Sequence, residues 1–210
     1  MSTWNYQYAA KAKQVRRTFF SFHYQYDVTR AHVVRNSWVT KEDREDAGFF
    51  DASVFESKKR AGEETLKRFI TEALDGTTVT GVLIGNQTAM RPWVRYELVR
   101  SFQRGKGLFG VRVHNIKNLE GQYATAGANP FEHLGYVVSG GQVTWREWNG
   151  NQWVDYTKVP SATIAETGQS LSNGESKQFS SRFPIYDWVN DNGYENLGAW
   201  IESAAKQAGK

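Results

Sequence analysis

The segment from Thr77 to Val113 constrains the fold most. Thr77-Thr78-Val79-Thr80-Gly81-Val82-Leu83-Ile84 is rich in β-branched residues and reads as the clearest strand of the chain. A loop, Gly85 to Arg91, leads to Pro92, a residue tolerated at the first turn of a helix. Val94, Leu98 and Phe102 then share one stripe of a helix running about Trp93 to Arg104, and Gly107 to Val113 forms another strand. A strand, a helix and a strand in this order argue for a parallel sheet with a crossover helix.

The flanking segments extend the alternation. Thr18 to Phe22 reads as a short buried strand, followed by a turn, His23 to Asp27, with Asp27 capping a helix through Val28, Ala31, Val34 and Arg35. Lys41 to Asp46 reads as a solvated loop and Gly48 to Asp51 as a second short strand. Ser57 is the expected cap of a long helix carrying Leu66, Phe69, Ile70, Ala73 and Leu74, ended by Gly76. The βαβαβαβ order predicts an α/β fold, a parallel sheet flanked by helices. From Tyr136 the pattern changes to an aromatic hairpin, Val143 to Tyr156 around Asn149-Gly150, then a polar loop from Ser161 to Ser181 and a terminal helix with Leu197, Trp200, Ile201, Ala204 and Ala205 on one face. We expect a domain over 15–135 and a C-terminal β-hairpin and helix extension over 136–210, packed on it as a cover.

Composition excludes several chemistries. The 210 residues contain no cysteine, which removes disulfides, thiolate nucleophiles and Cys-ligated metal sites. A hydrophobic content of 40% with 8 Trp excludes a disordered chain. Met1 to Arg17 lacks the apolar segment of a signal peptide, and no run of about 18 apolar residues could span a bilayer. The expectation is a soluble cytoplasmic protein with no membrane partner. A formal net charge of +4 is too small to argue for nucleic acid. Gly105-Lys106-Gly107-Leu108-Phe109-Gly110 matches a dinucleotide fingerprint in letters, but it follows a helix and opens a strand, so its glycines read as a helix terminator. His23, His32, His114 and His133 lack close metal-ligand spacing, and no metal site is expected.

Ligands of an open parallel sheet bind beyond the carboxyl ends of its strands. His23 to Asp27, the segment after Phe50, and Gly85 to Arg91 occupy those ends. Glu97 lies on the first turns of the helix that follows the third loop. By spacing alone it reads as a surface residue pairing with Arg100 or Arg104. His23 is equally a hydrogen-bonded turn residue.

Several segments together resemble the TIR-like subunits of Thoeris anti-phage systems. They are Phe19-Phe20-Ser21-Phe22-His23-Tyr24, Val33 to Thr40, Phe50-Asp51-Ala52-Ser53, Val82 to Thr88, and Arg91-Pro92-Trp93-Val94-Arg95-Tyr96-Glu97. Asn129-Pro130-Phe131, Leu134-Gly135-Tyr136 and Tyr186-Asp187-Trp188-Val189 extend the likeness over most of residues 15 to 200. The resemblance implies a flavodoxin-like sheet and an enzyme that cleaves NAD, as substrate and without a further cofactor, at the nicotinamide–ribose bond. It implies a cyclic ADP-ribose isomer made upon infection, a phage-derived trigger, an effector reached through that diffusible signal, and assembly into a homo-oligomer. It assigns the essential glutamate to Glu97.

The family chemistry asks for a carboxylate that stabilises an oxocarbenium-like ribose, aromatic surface for the rings and donors for the pyrophosphate. Phe20, Phe22, His23, Tyr24 and Trp93 are the candidates by position, with core packing the alternative for Phe20, Phe22 and Trp93. Ser21 is a candidate donor to phosphate or ribose, and Asn36 falls in the family-like Arg-Asn segment. Exclusion of water would favour cyclisation, and the 136–210 cover is the element expected to close the crevice. Arg91, Arg95, Arg100, Arg104 and Lys106 surround Glu97 in sequence, and these cations are expected to favour its ionised form. The alternative functions are a non-catalytic TIR interaction module and a nucleotide sensor.

Overall fold

The computed structural model describes residues 16–39 and 52–210. The expected strand at Gly48 to Asp51 and the charged run at Lys41 to Asp46 lie outside the described residues. The first sheet is parallel, with four strands among the described residues: β1 (Thr18–Phe22), β2 (Val79–Ile84), β3 (Gly107–Arg112) and a late strand, Ile185–Asp187, in that spatial order. Phe20 pairs with Gly81 and Gly81 with Phe109, while Ser21 pairs with Val82 and Val82 with Gly110. Side chains alternate across a sheet, so these two rows point to opposite faces.

Each row meets different helices. On the Phe20 face lie α1 (Tyr24–Val39), whose Trp38 meets Phe20 edge-on at 6.4 Å, and the terminal helix Gly193–Gln207. The latter presses so closely that a Cβ on Gly107 would lie 2.1 Å from the Ala204 carbonyl oxygen. On the Ser21 face lies α4 (Pro92–Gln103), bonded to β2 through Thr80 and Ser101. Pro92 occupies the first turn of α4, as its chemistry predicts.

Three local expectations are corrected. The stretch after His23 is already helix, so Asp27 sits inside the first turn of α1, and its carboxyl accepts from Thr88 instead of capping. Ser57 lies inside α2 (Ala52–Arg60), and a separate α3 (Glu63–Leu74) follows. Gly62 divides them with φ +115°, a conformation that glycine adopts without a Cβ penalty. Gly76 does end α3, as expected, with φ +78°.

Residues 134–178 build a second, five-stranded antiparallel sheet. It contains β4 (Leu134–Ser139), β5 (Gln142–Trp148), β6 (Trp153–Asp155), β7 (Ala162–Thr163) and β8 (Ser176–Gln178), with the short helix α5 (Ile164–Thr167) between the last two. The expected Asn-Gly hairpin is β5–β6. The expected loop over 161–181 instead holds β7, α5 and β8, because a Thr163–Glu166 capping box turns a polar stretch into a helix start. The last two elements, β9 (Ile185–Asp187) and α6 (Gly193–Gln207), return to the first sheet, joined by Tyr186 stacked on Trp200 at 4.3 Å. Phe102 on the outer side of α4 joins the sheets by stacking on Tyr136 and meeting Trp145, Phe179 and Phe183 within 5.7 Å. Among the described residues, no helix is long and apolar enough to cross a membrane.

Candidate active site

At the carboxyl end of β1, a cavity of about 310 Å³ opens between α2 and the start of α4. Its wall includes Phe22 at the end of β1 and His23 just after it, Phe55, Glu56 and Lys59 from α2, then Arg91, Pro92, Trp93, Val94 and Glu97. The surface-pair reading of Glu97 is overturned, because the residue is only 2% exposed. α4 lies across the Ser21 face of the sheet, so Glu97 points back to β1 and accepts from Ser21 Oγ at 2.5 Å. Burial pushes its carboxyl up to about 8, and the Ser21 hydrogen bond opposes that rise.

The neighbouring cations do not supply the expected counter-charge. Arg95 reaches Glu147 Oε2 at 2.9 Å, Arg104 reaches Asp75 at 3.5 Å, Lys106 donates to the Thr77 carbonyl at 2.5 Å, and Arg100 donates to Gln103. A helix turns 100° per residue, so charges adjacent in sequence fan out around α4 while Glu97 faces inward. Arg91, just before the helix, is the member of this set that lines the cavity. It donates to Gln87, and its Nε is buried without a partner among the described residues.

His23 is buried at the cavity wall, its ring 5.0 Å from that of Tyr26. Burial, then Arg91 and Lys59, hold its imidazole down to about 4, so it is neutral near pH 7. Trp93 is half-buried, edge-on to Tyr96 at 5.7 Å, with the Lys158 ammonium 5.9 Å from its ring. The loop into α4 is tied by Gly85 N–H donating to Thr88 Oγ1 at 2.9 Å and Thr88 Oγ1 donating to Asp27 at 3.3 Å.

Of the residues expected at the site, the structure brings Ser21, Phe22, His23, Trp93 and Glu97 together. Phe20 is fully buried on the opposite face against Trp38, which makes it core. Asn36 is exposed on α1 and is not part of the cavity wall. Tyr24 begins α1, with its side chain outside those described. Among the described residues the extension does not close this cavity, since those that line it fall between 22 and 97; α2 forms the facing wall. Sequence reasoning missed Phe55, Glu56 and Lys59 because it placed the helix start at Ser57. The available signal was Phe55 and Lys59 four residues apart, hence on one helical face. Among the described residues there is no cluster suited to a metal ion.

The model of the family "Thoeris protein ThsB, TIR-like domain" matches residues 19–118, which include every described residue lining the cavity. A curated protein of Bacillus cereus (strain MSX-D12), named "Putative cyclic ADP-D-ribose synthase ThsB1", is 41% identical over 190 residues, covering 89% of this chain and 98% of that protein. The chain belongs to the Thoeris ThsB TIR-like family. The ThsB match ends shortly after β3, whereas β9 and α6, which complete the sheet, come from beyond it. In this ThsB-family chain, the buried Glu97 carboxyl, apolar rings and two cations, Arg91 and Lys59, the latter 3.5 Å from the Glu56 carboxylate, line a cavity that can receive a molecule cationic at one end and anionic further along.

Proposed function

We propose that the chain is an NAD-processing enzyme of a bacterial anti-phage system, which cleaves the nicotinamide–ribose bond and closes the ADP-ribose into a cyclic signal for a separate effector. The observation that carries this reading is Glu97, a buried carboxyl in a cavity wall with no cation paired to it among the described residues. The name of the 41% identical Bacillus cereus relative supports the same class of reaction.

The chemistry follows from charge. Nicotinamide in NAD is a pyridinium, so the glycosidic electron pair moves to the ring nitrogen and the base departs neutral, without a general acid. Positive charge passes to the ribose, where an ionised Glu97 stabilises it in a water-poor site. Phe22, Phe55 and Trp93 offer ring surface, and Lys59 and Arg91 supply donors for the pyrophosphate. Cyclisation then forms a bond from the ribose carbon to a hydroxyl or ring nitrogen of the same molecule, releasing a proton if a hydroxyl attacks.

Burial holds Glu97 up to about 8, and an incoming pyridinium favours its ionised form. The expected kcat/KM, which reports the free enzyme, rises with pH through about 8, while the kcat limb lies at lower pH. The deciding experiment is incubation with NAD, with and without lysate of phage-infected cells, followed by chromatography beside Glu97→Gln. Free nicotinamide and a cyclic product from the wild type alone are expected. No nicotinamide from either protein in either arm would leave a binding module instead.

A further inference from the structure

Two hydroxyls bond Glu97, and a third braces one of them. Ser21 Oγ on β1 donates to Glu97 Oε2 at 2.5 Å, Ser101 Oγ one turn along α4 donates to the Glu97 carbonyl at 2.6 Å, and Thr80 Oγ1 on β2 meets Ser101 Oγ at 2.8 Å. All four residues are at most 2% exposed. Ser21 lies behind the cavity wall and is not one of its lining residues. A serine hydroxyl carries one hydrogen, and here that hydrogen is committed to Glu97, leaving none for a phosphate or ribose oxygen.

The other titratable groups of the cavity are His23 at the end of β1, Glu56 and Lys59 on α2, and Arg91 before α4. Among the described residues, Ser21 has the only side chain bonded to the Glu97 carboxyl. In a low-dielectric pocket, a charge with no counter-ion depends on the hydrogen bonds donated to it.

Resting on the catalytic reading of Glu97, we propose that Ser21 is a positioning residue, which orients the Glu97 carboxylate and stabilises its ionised form, and is not a ligand to the substrate. The Ser101–Thr80 pair fixes the backbone at Glu97, so the Ser21 bond sets the remaining rotation of the side chain. The sheet register makes this possible: Ser21 and Thr80 point to the α4 face, while Phe20 and Gly81 point away from it.

The test titrates the Glu97 carboxyl by ¹³C NMR in the full chain labelled with ¹³C-glutamate, the signal being assigned by its loss in Glu97→Gln. Ser21→Ala, and Ser21→Cys as a volume-keeping variant with a weaker donor, are each expected to move the midpoint up by about one pH unit. Ser21→Thr, which keeps the hydroxyl, is expected to stay with the wild type. In turnover of NAD at pH 7, Ser21→Ala is expected to lower kcat roughly tenfold, with KM little changed and activity recovered at higher pH. An unmoved midpoint in both Ala and Cys variants overturns the proposal, as does a loss carried wholly by KM. The titration needs no turnover, so it separates the two readings: nicotinamide release by Glu97→Gln at the wild-type rate would remove the catalytic role of Glu97 and leave the hold by Ser21 to be read from the midpoint.

Discussion

Ionising Glu97 places a negative charge where the fold offers a serine hydroxyl and no cation among the described residues. Burial holds Glu97 at about 8, above the 4.5 of an ordinary glutamate, so the folded state binds the proton more tightly. The stabilisation from that proton is complete below about 4.5 and is lost as pH rises through about 8. Glu97→Gln keeps the shape without the charge. It is expected to match the wild type in denaturant melts near pH 4 and to exceed it at pH 9 by on the order of a few kcal/mol. Asp27 acts in the same direction, burial raising it to about 6 against the favourable pull of Arg30 and Thr88. The glutamate proposed for catalysis thus opposes the fold when ionised. Its burial was not legible in the sequence, where Arg100 and Arg104 are close enough along the chain to suggest an ordinary surface pair.

At the scale of elements, two short segments frame the cavity. The loop 85–91 carries Arg91, and its geometry depends on Gly85: an added Cβ would lie 2.0 Å from the Asp27 carboxyl. That carboxyl is buried and bonded to Thr88, so it cannot swing away freely. Gly85→Ala is expected to cost about 2 kcal/mol in chemical denaturation. Part of this should be recovered in the Gly85→Ala, Asp27→Ala double variant, because the clash partner is gone. The second segment, α2, supplies Lys59. Lys59→Ala and Arg91→Ala are each expected to raise KM for NAD roughly tenfold at low salt, about 1.4 kcal/mol, with kcat largely kept. Equal effects at low and high ionic strength would count against a role in holding the pyrophosphate. The helix 92–103 was legible from Pro92 and its apolar stripe. The break at Gly62 was not, since a periodic apolar pattern does not report a change of helix direction.

Across the whole molecule, Phe102 is where the two sheets meet, its ring surrounded by Tyr136, Trp145, Phe179 and Phe183. Phe102→Ala removes that contact and is expected to cost about 3–5 kcal/mol. Because α4 carries Phe102 on one side and Glu97 on the other, near- and far-UV circular dichroism should lose structure in one shared transition. The second sheet therefore backs the helix that bears the site instead of roofing the cavity. From it Glu147 pairs with Arg95 of α4, and the Lys158 ammonium, between β6 and β7, lies over Trp93 of the cavity wall.

The sequence by itself determined three of the parallel strands, β1, β2 and β3, the Pro92 helix, the Asn-Gly hairpin and the apolar face of the last helix, but not β9. Each is written in local periodicity and turn chemistry, which neighbouring residues specify among themselves. Motif likeness also pointed to Glu97. Only the tertiary structure decided that Phe20 is core while Ser21 meets Glu97, because strand alternation becomes a choice of neighbours only after the helices have taken their faces. It also decided that all five cations near Glu97 in sequence bond other residues, with Arg91 alone of them on the cavity wall, and that α2 walls the cavity. Those outcomes depend on contacts between residues distant in the chain, and they set burial, charge and access together.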